Sequence, residues 1–228
     1  MMDVPTTICE TVDLESLTKQ QRADRKLAAS RRSGQKIFFR FGDDLVAFPG
    51  VYLISLPELS KFGCLNIEPS PEFSFAFWAS DMAPTEEWFG ISATHDGPLV
   101  APNRSPDDFI IVGRIYYGPH ADWQGMSTTM AKARSKGKSG GFRFGLENFS
   151  IGDTNYYLRT SEDRGVLIWA WELPNSPAPY PKAYMYFQNS EWSAAVTVPA
   201  RIIPRWETVY NLVETFIAKR TVKGYFKR

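Results

Sequence analysis

Histidine and cysteine are nearly absent, with two of each in the whole chain. His95 lies in ATHDGP and His120 in GPHADW, each beside a turn-forming Gly-Pro pair and close to an acid, Asp96 or Asp122. A Ser-His-Asp or Cys-His site would need one of these two, and no GxSxG elbow is there to present a serine. Metal-ligand spacings of the HxH, HExxH and CxxC kinds are missing, as is an Asp/Asn calcium ladder. The sequence therefore names no catalytic residue, no metal ligand and no cofactor. Cys9 and Cys64 make no disulfide framework and read as two free thiols in a reducing compartment.

Long apolar runs are missing too, which excludes a membrane-spanning helix. The N-terminus MMDVPTTICETVDLES carries acids and no apolar segment, unlike a secretory signal. These features predict a cytoplasmic protein, with an intracellular particle such as a virion as a further setting. Charge of one sign is also lacking: 26 basic residues face 25 acidic ones, for a net charge of +1. Any attraction to an anionic partner must therefore be local.

Aromatics, glycine and proline are plentiful. Aromatic residues make up 14% of the chain, and Gly and Pro occur 16 times each. That mixture favours short strands broken by turns. From Ile37 onward the apolar pattern has period two. IFFRF and LVAF flank Gly42-Asp43-Asp44, and FSFAFWA sets Phe73, Phe75 and Phe77 on one face. EWFGISATH, FIIVGRIYYG, FRFGLENF, NYYLRT, VLIWAWEL, AYMYFQ and WSAAVTV follow. VLIWAWEL is apolar on both faces, which predicts a central strand. In PRWETVYNLVETFIAKR the apolar residues recur three and four apart, which predicts an amphipathic helix at about 204–220.

The expected fold is mainly β (α+β): an antiparallel β-sandwich or strongly bent sheet of about nine strands, with the C-terminal helix packed on it. Residues 1–36 read as a separate basic N-terminal arm or helix ahead of one β-rich domain spanning 37–228. After Asp13, from Leu14 onward, the arm's Lys19, Arg22, Arg25, Lys26, Arg31, Arg32 and Lys36 oppose only Glu15 and Asp24.

A second basic tract is KARSKGKSGGF at 132–142. No acid lies between Asp122 and Glu147, while Lys132, Arg134, Lys136, Lys138 and Arg143 all fall there. GKSGG is not a phosphate loop, because Lys132 stands where the first glycine of GxxxxGK[ST] is required. Lysine alternating with Ala and Ser predicts a solvated hairpin loop. Together with Arg31 and Arg32, this tract forms the candidate anion-binding set, able to meet nucleic acid or an acidic protein surface. The aromatic stretch PAPYPKAYMYFQNSEW supplies a second candidate surface of Tyr180, Tyr184, Tyr186 and Trp192.

Function follows by class. The first reading is a non-enzymatic structural or interaction protein, self-assembling or coat-like, that contacts an anionic polymer or acidic partner through the arm and basic tract. The alternatives are an aromatic binding module for carbohydrate or membrane headgroups, and an immunity-type protein that neutralises another protein.

Overall fold

In the computed structural model, residues 4–9, 16–21, 36–55, 64–67, 72–85, 104–105, 107–117, 124–161, 164–171 and 182–227 are described. The chain is mostly β, in two sheets with a C-terminal helix packed into the core they share. Strands β1 (Lys36–Phe41) and β2 (Asp44–Pro49) form the first expected hairpin. Its turn needs Gly42, whose φ of +56° a side chain rarely tolerates. With β4 (Leu65–Asn66) and β13 (Thr221–Val222) they make a four-stranded sheet in the order β13-β2-β1-β4.

The larger sheet is entirely antiparallel across nine strands, ordered β3-β5-β6-β12-β11-β10-β9-β8-β7. These are β3 (Leu53–Ser55), β5 (Glu72–Trp78), β6 (Ile110–Tyr117), β7 (Lys138–Arg143), β8 (Leu146–Ile151), β9 (Thr154–Thr160), β10 (Gly165–Trp171), β11 (Lys182–Gln188) and β12 (Trp192–Pro199). β10 lies between β9 and β11, the central position its two apolar faces predict. FRFGLENF reads as one strand in the sequence but folds as a hairpin, because it turns at Phe144-Gly145 between β7 and β8. EWFGISATH, His95 and His120 lie outside the described residues.

One face of the large sheet carries the main core. Phe73, Phe75, Phe77, Ile111, Ile115, Val166, Ile168, Met185 and Val196 meet Ile37, Phe39, Val46 and Phe48 from the hairpin. Helix α2 (Trp206–Ala218), entered through a 3-10 turn at Ala200–Arg205 that contains Pro204, buries Trp206, Val209, Tyr210, Val213, Phe216 and Ile217 in the same core. The Phe216 ring stacks 4.4 Å from Phe77 and 5.2 Å from Phe75. On its other side it receives the Arg220 guanidinium, 3.7 Å from the ring centroid. Arg220 also donates to the Phe216 carbonyl at 2.7 Å. Burial holds the Arg220 pKa below the usual arginine range.

The TVKGYFKR tail is part of the fold. Thr221 and Val222 pair with β2, and Tyr225 and Phe226 cover the outer face of the hairpin at Phe38, Leu45 and Ala47. The N-terminal segment joins that layer through the bridge Ile8↔Leu65 and the bond from the Cys9 N–H to the Leu65 carbonyl at 2.9 Å.

This arrangement overturns the free-thiol expectation, because Cys9 and Cys64 form a disulfide. The parallel run beside Leu65 sets their Cα atoms 5.0 Å apart, within bridging distance. Disulfides persist in oxidising surroundings, so the argument from free thiols to a reducing compartment falls with it. Among the described residues no helix is long and apolar enough to cross a membrane.

Candidate partner-binding surface

The opposite face of the large sheet, at its β7–β11 end, holds most of the described candidate residues. There the structure departs most from the sequence-based expectation. The tract read as a solvated loop is the end of a helix, α1 (Gln124–Lys136), running straight into edge strand β7. The helix forms because Met126, Met130 and Ala133, spaced four and three apart, make a narrow buried stripe. That stripe packs on Leu158 and Leu167, with Phe149, Tyr156 and Tyr186 closing around it. Lysine alternation hides the stripe, since only these three residues carry it among Ser, Thr and Lys.

Gly137 makes the passage from helix to strand. Its N–H bonds the Ala133 carbonyl at 2.9 Å. A Cβ there would overlap that carbonyl oxygen and lie 2.9 Å from the Phe149 Cβ. Helix end, glycine and edge strand therefore form one continuous junction that a side chain at 137 would disrupt.

The five cations of the tract divide by environment. Arg134 is a structural cation. It donates to both Glu147 oxygens on β8, at 3.1 and 2.6 Å, and to the Thr160 hydroxyl on β9 at 3.1 Å. The hydrogen bond from Arg134 holds the Glu147 carboxyl below the usual range, against partial burial, and the same bond raises Arg134. Lys132, Lys136 and Lys138 are exposed, and among the described residues no carboxylate pairs with them. Arg143 lies over the Phe144 ring at 5.0 Å. Arg31 and Arg32 lie outside the described residues.

The β7–β8 hairpin is pinned at its tip. Phe144 (φ +57°) and Gly145 (φ +75°) form a two-residue turn of the left-handed kind that suits strand twist. A bulky residue at that φ is disfavoured, and it is secured here by the Trp206 indole, whose Nε1–H donates to the Phe144 carbonyl at 2.9 Å. Phe144 also packs against the main core. Two residues before it, Phe142 is 81% exposed, on the same sheet face as Glu147.

The aromatic candidates separate as well. Tyr184 and Tyr186 lie on this face of β11, opposite the core residues Ala183, Met185 and Phe187. Trp192 does not: it is only 3% exposed, in the main core near Tyr210 at 5.8 Å. Strand alternation sends residue 192 inward together with Ala194 and Val196. Tyr180 lies outside the described residues.

Two further aromatics join Tyr184 and Tyr186. Cross-strand register aligns Tyr156, Trp169 and Tyr184 on β9, β10 and β11. The rings of Trp169 and Tyr184 stack at 4.3 Å. Beside that row lies a cavity of about 350 Å³ lined by Gly125, Met126, Thr129, Tyr156, Leu167, Trp169 and Tyr186. Gly125 and Thr129 share a helical stripe with Lys132 and Lys136, so one flank of α1 carries both the cavity wall and two lysines. VLIWAWEL already sets Trp169 opposite the core-facing residues. Only the register shows that it meets Tyr156 and Tyr184.

Among the described residues no three His, Cys, Asp or Glu side chains cluster in a way that could hold a metal ion. No family model matches the chain, and no characterised protein matches it in sequence. Two solved structures are similar in overall shape. One is Smlt3025, an immunity protein of the Stenotrophomonas maltophilia type IV secretion system, at TM-score 0.48 and 14% identity, covering 83% of this chain and 94% of that one. The other is FrpD, an iron-regulated outer membrane lipoprotein of Neisseria meningitidis, at TM-score 0.48 and 12% identity, covering 82% and 94%. Likeness of that degree assigns no function to this chain.

Proposed function

We propose that the protein is a non-enzymatic interaction protein that engages an acidic surface of a protein partner through Lys132, Lys136 and Lys138. The observation that carries this reading is the division of cations on α1 and β7. Arg134 is held by Glu147, whereas the three lysines are exposed with no carboxylate partner among the described residues. They stand on a helix and a paired strand, so docking has side chains to order and no backbone segment to fold. The field is local, on a chain of net charge +1, which suits an acidic patch on a protein better than the length of a polyanion. Blocking the partner by occupying its surface is one outcome of such binding.

The test begins with the protein that co-purifies at one-to-one stoichiometry from the source cell. Its Kd is measured against wild type and the triple variant Lys132→Glu, Lys136→Glu, Lys138→Glu. The reading expects at least about tenfold weaker binding with an unchanged melting temperature. Equal affinity for both proteins would overturn it.

A second reading rests on the cavity beside Trp169. Its volume of about 350 Å³ lies at the small end of ligand sites, and its floor is aromatic. This supports an aromatic binding module for a sugar ring or headgroup. Fluorescence quenching by a panel of monosaccharides and phospholipid headgroups, lost in Trp169→Ala, would favour it. No saturable quenching would remove it.

A further inference from the structure

The edge of the large sheet points to a mode of binding, and the inference rests on the acidic-partner reading above. We infer that β7 accepts an extended acidic segment of the partner as an added antiparallel strand, with an apolar side chain of that segment against Phe142.

The observations are these. β7 ends the nine-stranded sheet, and all six of its residues are exposed. Among the described residues its only strand partner is β8. Arg143 and Leu146 close the two-residue turn, so they form a hydrogen-bonded pair. The next pair, Phe142↔Glu147, is then of the non-bonded kind, which turns the Phe142 N–H and C=O away from β8 toward the open edge. A backbone donor and acceptor thus stand beside a phenyl ring that is 81% exposed. Main-chain groups supplying affinity, with a side-chain anchor at alternate positions, are the elements of strand addition.

Charge selects the occupant. Register puts Lys138 and Arg143 on one face of β7, and α1 brings Lys132 and Lys136 to the other. An antiparallel pair of two β7 strands would set Lys138 of one near Arg143 of the other, and that repulsion opposes self-pairing. The irregularity between Ser139 and Gly141 works the same way, since an irregular edge pairs poorly with a copy of itself. A strand carrying glutamates or aspartates on the Lys138–Arg143 face and apolar residues on the Phe142 face removes the repulsion and is attracted instead.

The probe is a synthetic peptide of alternating glutamate and valine, titrated into the ¹⁵N-labelled full-length protein. Two controls accompany it: the lysine/valine peptide, and the glutamate/valine peptide with N-methylated valines, which keeps the charge but cannot complete the ladder. Expected are amide shifts centred on β7 and β8, slowed exchange at the Phe142 N–H, and at least about tenfold weaker binding by the N-methylated peptide and by Phe142→Pro. The lysine/valine peptide should not bind. Equal binding by the N-methylated peptide would overturn strand addition while leaving the acidic-partner reading intact. Equal binding by the lysine/valine peptide would overturn charge selection. No binding of the glutamate/valine peptide would also sink the inference, because the acidic-partner reading is judged separately by the triple lysine variant and the co-purified partner.

Discussion

Replacing Arg134 by methionine keeps most of the aliphatic stem and removes the fork that grips Glu147 and Thr160. The pair is partly open to water, with side-chain exposures of 41% and 33%. Solvent therefore screens it, and its contribution is about 0.5–1 kcal/mol at neutral pH. In a chain of this size that lowers the melting temperature by roughly 1–4 °C. The pH dependence has a definite sign. Glu147 has a lowered pKa in the folded protein, mainly because of the Arg134 hydrogen bond. Its stabilisation is present above the ordinary unfolded value and is lost as pH falls through the lower folded one. Thermal unfolding of wild type and variant should therefore differ at neutral pH and converge as the pH falls below the lowered folded value of Glu147. The same variant should bind the partner nearly as wild type does, since Arg134 is spent on the fold. Undiminished destabilisation in acid would refute the ion-pair account. A loss of partner binding as large as that of the triple lysine variant would refute the division of cations.

Other consequences follow from the core and the cross-link. Phe216→Ala should cost about 3–5 kcal/mol, because its ring is fully buried between Phe75, Phe77 and the Arg220 guanidinium; a loss under about 1 kcal/mol in chemical unfolding would contradict that packing. The Cys9–Cys64 bond spans a sequence separation of 55, for which loop entropy gives a stabilisation of up to about 4 kcal/mol. Alkylation and mass measurement of the non-reduced protein should find no free thiol, and Cys64→Ser should lower the melting temperature. Two alkylated cysteines before reduction would contradict the bridge. Trp206→Phe should remove the indole bond to the Phe144 carbonyl and cost about 1 kcal/mol, with faster amide exchange at the β7–β8 tip; unchanged exchange there would show that the tip is not pinned by that bond.

Most strands and the C-terminal helix were legible because their signals are local. Phe73, Phe75 and Phe77 alternate, and Trp206 to Ile217 recur at helical spacing, whatever the rest of the chain does. Of the aromatic candidates, Tyr184 and Tyr186 fall on the face of β11 away from the main core, whereas alternation carries Trp192 to the core face, and no composition argument can show which side a strand turns. Helix α1 was missed because three small or flexible residues, Met126, Met130 and Ala133, are too few to stand out. They are enough only because Leu158 and Leu167 lie beneath them. The disulfide was missed for a similar reason: its half-cystines are brought together by a short parallel run beside Leu65, a long-range pairing with no local mark.

The most direct test of the acidic-partner claim is the Kd of the co-purified partner for wild type and for the Lys132→Glu, Lys136→Glu, Lys138→Glu variant across a salt series. The account predicts binding to wild type that weakens steadily with salt, and at least about tenfold weaker binding to the variant that does not weaken with salt, because its reversed charges repel the acidic surface and salt screens that repulsion. Two superimposable salt curves would contradict it.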